Sequence, residues 1–229
     1  MDIKKLDSHT FRLYEEELAE VRTNFMTMAG LVETQLEESI QVLTAFDQAL
    51  AESVIARETT IDSMELELEQ ACTQIIALRA PTASDLRTVL GTLRGIRELE
   101  RIADEAKKIA GIAIELSGID SNRSAAKESR HLSSGARRMV SEALDAFGRL
   151  DSEKALTVIA SDEDLDEDYA SAIRELITYM MEDPRNITRS INVLWVLRSL
   201  ERIGDHAKNL CEATVYIAEG KDIRHGNIT

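Results

Sequence analysis

Apolar residues recur with a seven-residue period along the first part of the chain. Phe11, Leu18, Phe25 and Val32 mark one line, and Tyr14, Val21 and Met28 fill the alternate position. Sustained heptads predict a long helix with a coiled-coil-like seam, here running to about Phe46. Asp47 then offers the N-cap of a second helix reaching about Arg79, because a carboxylate at that place accepts from the unpaired amides of the first turn. Pro81-Thr82 interrupts, since proline lacks the amide and clashes with the preceding turn. A third helix is predicted from about Ser84 to Leu116, stopped by Ser117-Gly118.

The same punctuation then returns in the same order. A helix is predicted from about Ala125 to Phe147, Asp151 caps the next, which reaches Met181, and Asp183-Pro184 precedes a last helix ending at Gly220. Val54-Ile55-Ala56 corresponds to Val158-Ile159-Ala160, Pro81 to Pro184, and Glu100-Arg101-Ile102-Ala103-Asp104 to Glu201-Arg202-Ile203-Gly204-Asp205. Self-similarity at so large a spacing means that one helical unit has been built twice. The expectation is an all-α chain of two tandem three-helix bundles, residues 1–118 and 119–229. With only two prolines and ten glycines, the composition leaves room for long helices and few turns.

Charge narrows the partners. The net charge of -15 repels a phosphate backbone and an anionic bilayer, which argues against nucleic acid and membrane surfaces and favours cations and basic proteins. No apolar run approaches the roughly 20 residues of a membrane span, and Met1-Asp2-Ile3-Lys4-Lys5 lacks the apolar stretch of a signal peptide. The expectation is a cytoplasmic protein without membrane insertion. Cys72 and Cys211 form no metal-like or redox spacing and read as buried thiols in a reducing compartment.

The chemistry lies in carboxylates that continue apolar stripes. At 100° per residue, Leu86, Val89, Leu93 and Ile96 fall within about 40° of Glu100, with Asp104 about 40° to its other side. Ile187, Leu194 and Leu197 lead in the same way to Glu201 and Asp205. The second helix aligns Glu58, Asp62, Glu65 and Glu69; its copy keeps Asp162 and Asp166 but carries Tyr169 where Glu65 would stand. Acids at i,i+4 repel one another and need compensation. Salt bridges from Arg97, Arg101, Lys108, Arg198 and Arg202 would supply it on a solvated face. Divalent or trivalent cations between the second and third helices of each bundle would do so equally, hard oxygen ligands suiting magnesium, manganese, iron or calcium.

Other signals are thinner. A ferritin-like di-iron enzyme would need Glu-x-x-His on two core helices, and only Glu128 to His131 qualifies. His206 points about 140° from Glu201 and reads as a surface or packing residue, while Trp195, in the apolar run Val193 to Leu197, reads as core. No phosphate loop, nucleophile elbow or Cys/His dyad is present in the sequence, so no organic catalysis is signalled. A carboxylate-bridged metal enzyme and a purely structural helical scaffold stand as the alternatives to a regulatory binding protein.

Ala80 to Arg87, Glu100 to Asp104, Thr178 to Arg185 and Glu201 to Asp205, in this order and repeat frame, resemble the PhoU family, the bacterial accessory and regulatory proteins of the phosphate-specific transport system. The likeness runs from about residue 8 to 225. It implies two three-helix bundles related by a pseudo-two-fold, with metal ions (magnesium, manganese, iron or zinc) on Glu58, Asp62, Glu100, Asp104, Asp162, Asp166, Glu201 and Asp205. It also implies a non-enzymatic negative regulator of phosphate uptake and of the phosphate-starvation response, linking the ATPase subunit of the phosphate ABC transporter to a sensor histidine kinase. A homodimer rests on the same likeness and on the first-helix seam. Tyr169 in place of an acid implies fewer ligands at the second site, and Ala103, where the copy has Gly204, adds a methyl beside the first.

Overall fold

A computed structural model describes residues 3–119 and 124–224, with side chains from 13 to 119 and from 125 to 224. Phe11, the outer ends of the two expected domains and residues 120–123 beside their boundary lie outside the described side chains. The described residues form eight α-helices and no strand: α1 (Ile3–Ala45), α2 (Gln48–Arg79), α3 (Ala83–Ser117), α4 (Ser124–Glu128), α5 (Arg130–Arg149), α6 (Ser152–Ala160), α7 (Asp162–Glu182) and α8 (Ile187–Glu219), with a 3-10 turn over Pro184–Asn186.

The repeated punctuation has a repeated geometry. Phe46 and Leu150, equivalent residues at the ends of α1 and α5, both adopt the left-handed conformation with φ of 54°. Each is followed by a capping aspartate: Asp47 Oδ1 accepts from the Leu50 amide at 3.1 Å, and Asp151 Oδ1 from the Lys154 amide at 3.0 Å. The left-handed residue turns the chain and the cap restarts the helix, so two expensive local choices recur together.

Two helices expected to be continuous are divided. The fourth breaks at Ser129, whose hydroxyl donates to the Ala125 carbonyl at 2.8 Å, the back-bonding that bends helices. The fifth breaks at Ser161, whose amide is shared between Thr157 and Val158 carbonyls while its hydroxyl also bonds Val158. Asp162, Glu163 and Asp164 then occupy the first turn of α7, where the exposed amides favour negative charge. Asp162 is therefore an N-terminal residue of a helix, whereas its counterpart Glu58 is mid-helix.

Helices α1 to α3 pack on one another, α5 to α8 do likewise, and α3 against α8 forms the most extensive contact of all. These two run antiparallel, with Gly91 against Ile217 and Gly95 against Leu210. A methyl at Gly91 would lie 2.3 Å from Ile217 Cγ1, so glycine is what permits the close crossing. One hydrophobic core passes through both bundles, and Phe25 of α1 stacks on Phe147 of α5 with centroids 4.3 Å apart. Val21, Phe25, Met28 and Val32 of the seam are buried within it.

Both cysteines are buried free thiols; burial pushes Cys72 up to about 11 and Cys211 to about 12, which leaves them protonated at neutral pH. Trp195, expected in the core, is instead 56% exposed. Val193, Val196, Leu197 and Leu200 take the inward line, and Trp195 lies roughly 150° round the helix from it at 100° per residue.

Candidate metal centre

The face between α2 and α3 brings Glu58, Asp62 and Glu100 together: each offers a carboxylate oxygen within 4.8 Å of the others. The turn-wise spacing Glu58 to Asp62 supplies two acids from one helix, and Glu100 meets them from the other. Glu58 is buried, Glu100 half-buried and Asp62 exposed, so the cluster opens to solvent on one side. Gln35 of α1 is fully buried behind it and donates from Nε2 to Glu58 Oε2 at 3.0 Å and to the Ala103 carbonyl at 3.1 Å. Gln35 thereby aims Glu58 and anchors the backbone of the facing helix.

Burial first, then neighbouring acids, hold Glu58, Glu65 and Glu100 above the ordinary carboxylate range. Burial raises Glu58, against the opposing hydrogen bond from Gln35 and the charge of Lys107. Burial also raises Glu100, and it raises Glu65 with further repulsion from Glu100, Glu69 and Asp62. Salt bridging is realised in part. Arg101 lies 3.5 Å from Glu100, and Lys108 holds Asp104 at 2.8 Å, off the converging trio; Arg97 turns instead to Glu69 at 3.2 Å.

The second bundle holds its acids differently. Lys208 Nζ sits 2.5 Å from Asp162 Oδ2, and Arg198 lies 2.6 Å from Glu201 Oε1. Glu201 Oε2 is buried with no hydrogen-bond partner, and Asp205 is raised by burial and then by Asp162 and Asp166. Among the described residues no trio of acids in this bundle converges as the first does. Tyr169 packs against the core where Glu65 stands in the first copy. Gly204 lets α7 approach, since a methyl there would lie 2.2 Å from Leu165 Cδ2, and the matching Ala103 is buried with its carbonyl engaged by Gln35.

The residues present fit a hard cation. Carboxylates drawn close together and a buried carboxylate oxygen without a partner are destabilising alone, and a multivalent cation offsets both. An all-oxygen donor set suits magnesium, manganese, calcium or iron better than zinc, which favours nitrogen and sulfur.

A pH signature follows for the metal-free protein. Glu58, Glu65, Glu100, Glu201 and Asp205 are raised in the folded state, so their contribution is fully present below the unfolded value of about 4 and is lost as pH rises through the folded one. Glu17, Asp145, Asp183 and Asp222 are lowered by arginine or lysine partners and act oppositely, losing their contribution only as pH falls below about 4. Thermal midpoints in chelator should therefore rise from about pH 7.5 to about pH 5 and fall below about pH 4. A midpoint that declines steadily from neutrality would show that the acids are not mutually destabilising.

Three residues at or beside this centre stand outside the ligand set that the sequence implies. Gln35 occupies the next alternate position of the α1 seam after Tyr14, Val21 and Met28, so a polar residue at a core register was the available signal. Glu65 stands on the acid line of α2, outside the set of ligands that the family resemblance implies. Glu105 is buried at the α3–α8 contact and paired with Arg202 at 2.8 Å and Lys108 at 3.1 Å; nothing in the repeat marks it, because its counterpart is His206. His206 itself packs against that contact, its Nδ1 2.8 Å from Glu98.

Two helical bundles with a shared core, each presenting acids between its last two long helices, define an all-α scaffold whose distinctive chemistry is confined to carboxylate faces. A family profile described as the PhoU domain matches residues 25–113 and again 130–214. The chain is 43% identical over 224 residues to the phosphate-specific transport system accessory protein PhoU homolog of Pseudomonas aeruginosa, covering 98% of this chain and 93% of that one. It is 39% identical over 225 residues to the corresponding protein of Escherichia coli, with 98% and 93% covered. The crystal structure of PhoU from Pseudomonas aeruginosa superposes with a TM-score of 0.88 at 44% identity, over 91% of this chain and all of that one. The phosphate transport system regulatory protein PhoU from Streptococcus pneumoniae gives 0.83 at 27% identity, over 91% and 98%. The chain belongs to the PhoU family, whose names are those of accessory and regulatory proteins rather than of enzymes. No helix among the described residues is long and apolar enough to cross a membrane.

Proposed function

We propose that this protein is a non-enzymatic cytoplasmic regulator of phosphate homeostasis. It restrains phosphate uptake and the starvation response when phosphate is plentiful, by coupling the ATPase subunit of the phosphate ABC transporter to a sensor histidine kinase. Cations on the acids of each bundle hold the competent surface, with Glu58, Asp62 and Glu100 forming the tighter site, Asp104 at its edge, and Asp162, Asp166, Glu201 and Asp205 the weaker one. The protein acts as a homodimer. The observation that carries the reading is the near full-length match to relatives named as accessory proteins of the phosphate-specific transport system, in a chain whose acid motif is duplicated.

A binding protein without catalysis transmits a signal only by changing its relative affinity for partners between two states. Deleting the gene should switch on phosphate-starvation reporters in phosphate-rich medium, and the wild-type gene should silence them again. Unaltered repression in the deletion strain, with no second copy present, would overturn the assignment. Sedimentation showing a monomer at every concentration would remove the dimer alone.

A further inference from the structure

Helices α1 and α5 run antiparallel where the two bundles meet. Arg22 donates to the Gly148 carbonyl at 2.5 Å, Phe25 stacks on Phe147, and Arg137 lies 3.3 Å from Glu37. The equivalence of Phe46 with Leu150 matches the two helices residue by residue, so Phe25, Met26, Ala29 and Glu33 correspond to Ser129, Arg130, Ser133 and Arg137. At one end of the pair the two phenyl rings fill the space between the helices. At the other end the equivalent residues are Ser129 and Leu43, and a cavity of about 240 Å³ is left between them.

Polar groups line this cavity where helical periodicity assigns core. At 100° per residue, Ser133 falls within about 40° of Val140, Leu144 and Phe147, the inward line of α5. It is only 6% exposed, and its hydroxyl is buried without a hydrogen-bond partner, an arrangement that costs stability until something meets it. Beside it α5 restarts at Arg130 and runs for 20 residues. The N-cap residue Ser129 turns its hydroxyl back to the Ala125 carbonyl at 2.8 Å and caps no amide. An uncapped helix start attracts negative charge, and Arg130 and Arg137 line the same wall.

Local charge decides the sign of the ligand. Glu37 is the one carboxylate lining this cavity, against two arginines, in a chain of net charge -15. Its side chain is 63% exposed, and so open an ion pair with Arg137 yields easily to a competing anion. The adjacent acids in sequence are engaged elsewhere, Glu38 by Arg57 at 2.7 Å and Glu128 by Arg189 at 2.7 Å. Past Arg137 the cleft continues beside Glu33, Arg138 and Glu142, where acids outnumber arginines and no anion is favoured. Ile40 and Leu43 complete the lining at the α5 start and leave room for a small organic group beside the charge.

We propose that the cavity between α1 and the start of α5 binds a tetrahedral oxyanion, free or at the end of a small phosphoester. Arg130 and Arg137 supply the charge, and the Ser133 hydroxyl and the first-turn amides of α5 donate to the oxygens. The site uses none of the carboxylates between the last two long helices of each bundle, so it goes beyond the regulatory reading and does not rest on it.

Calorimetric titration in chelator, in buffer free of other oxyanions, tests it with inorganic phosphate, phenyl phosphate and phenol as probes. Saturable binding is expected with the two anions and not with phenol. Tighter binding of phenyl phosphate assigns the site to an ester, and tighter binding of inorganic phosphate to the free ion. Arg130→Gln and Ser133→Ala, each verified as folded by circular dichroism, should weaken binding at least about tenfold, as loss of a hydrogen bond to a charged group does. Arg149→Gln, at the far end of α5, should leave it unchanged. Absence of saturable heat with both anions, or unchanged binding in either cavity variant, would overturn the proposal. So would phenol binding as tightly as phenyl phosphate, which would make the cavity merely apolar, or an equal loss in the Arg149 variant, which would reduce the effect to general attraction. No metal, transporter or kinase enters the titration, so its failure and that of the phosphate-regulation assignment are separable.

Discussion

Replacing Glu58 and Glu100 by glutamine and Asp62 by asparagine should abolish cation binding at the first bundle while leaving a folded protein. The wild type, with a cation at about a hundred times its dissociation constant, should gain about 2.7 kcal/mol, a rise of roughly 5–10 °C in thermal midpoint for a chain of this size. The triple variant should lose that gain. Without metal it should be as stable as the wild type or more so, because burial and mutual repulsion already raise Glu58 and Glu100. Calorimetry with magnesium, manganese and iron, beside melting curves in chelator, measures both halves. Binding that survives the triple substitution would move the site elsewhere. A metal-free variant several degrees less stable than wild type would show that the acids are compensated within the protein, by Arg101, Lys107 and Gln35, and await no cation.

The α3–α8 contact predicts a second large effect, of opposite logic. Glu105 is only 3% exposed and is shared by Arg202, across the bundles, and Lys108 on its own helix. Changing Arg202 to methionine leaves the buried carboxylate with one flexible partner, which Asp104 also draws away at 2.8 Å. Breaking a buried pair costs about 3–5 kcal/mol; with Arg202 partly exposed and Lys108 remaining, about 2–3 kcal/mol is expected here. Replacing Glu105 by leucine together with Arg202 by methionine should recover most of that loss, since two apolar side chains of similar volume leave no unpaired charge. Urea denaturation of the two variants decides it. A double variant less stable than the Arg202 single would mean that the ion pair contributes net stability, and a negligible effect of the single would mean that Lys108 alone suffices.

This pair also bears on how the two bundles communicate. Lys108 divides itself between Asp104, at the edge of the first acid cluster, and Glu105, whose other partner Arg202 adjoins Glu201 of the second. A chain of ion pairs, Asp104 to Lys108 to Glu105 to Arg202, thus runs from the first acid face across the helix contact that holds the bundles together.

What sequence alone determined was local and periodic. Heptad spacing in α1, capping aspartates at 47 and 151 and prolines at 81 and 184 are short-range signals, read within a turn or two, and they located the long helices and the duplication. The same periodicity put Glu58 and Asp62 on one face of a helix and Glu100 on another, because a helix has a single pitch. It could not say which helices face each other or how closely. Convergence of the first trio, its absence among the described residues of the second bundle, the capture of Asp162 by Lys208 and the burial of Glu105 all depend on contacts between residues distant in sequence. Trp195 shows the limit most plainly. An apolar run looks like core in one dimension, yet 3.6 residues per turn must send one of its members outward, and only the packing of α8 between α3 and α7 decided which.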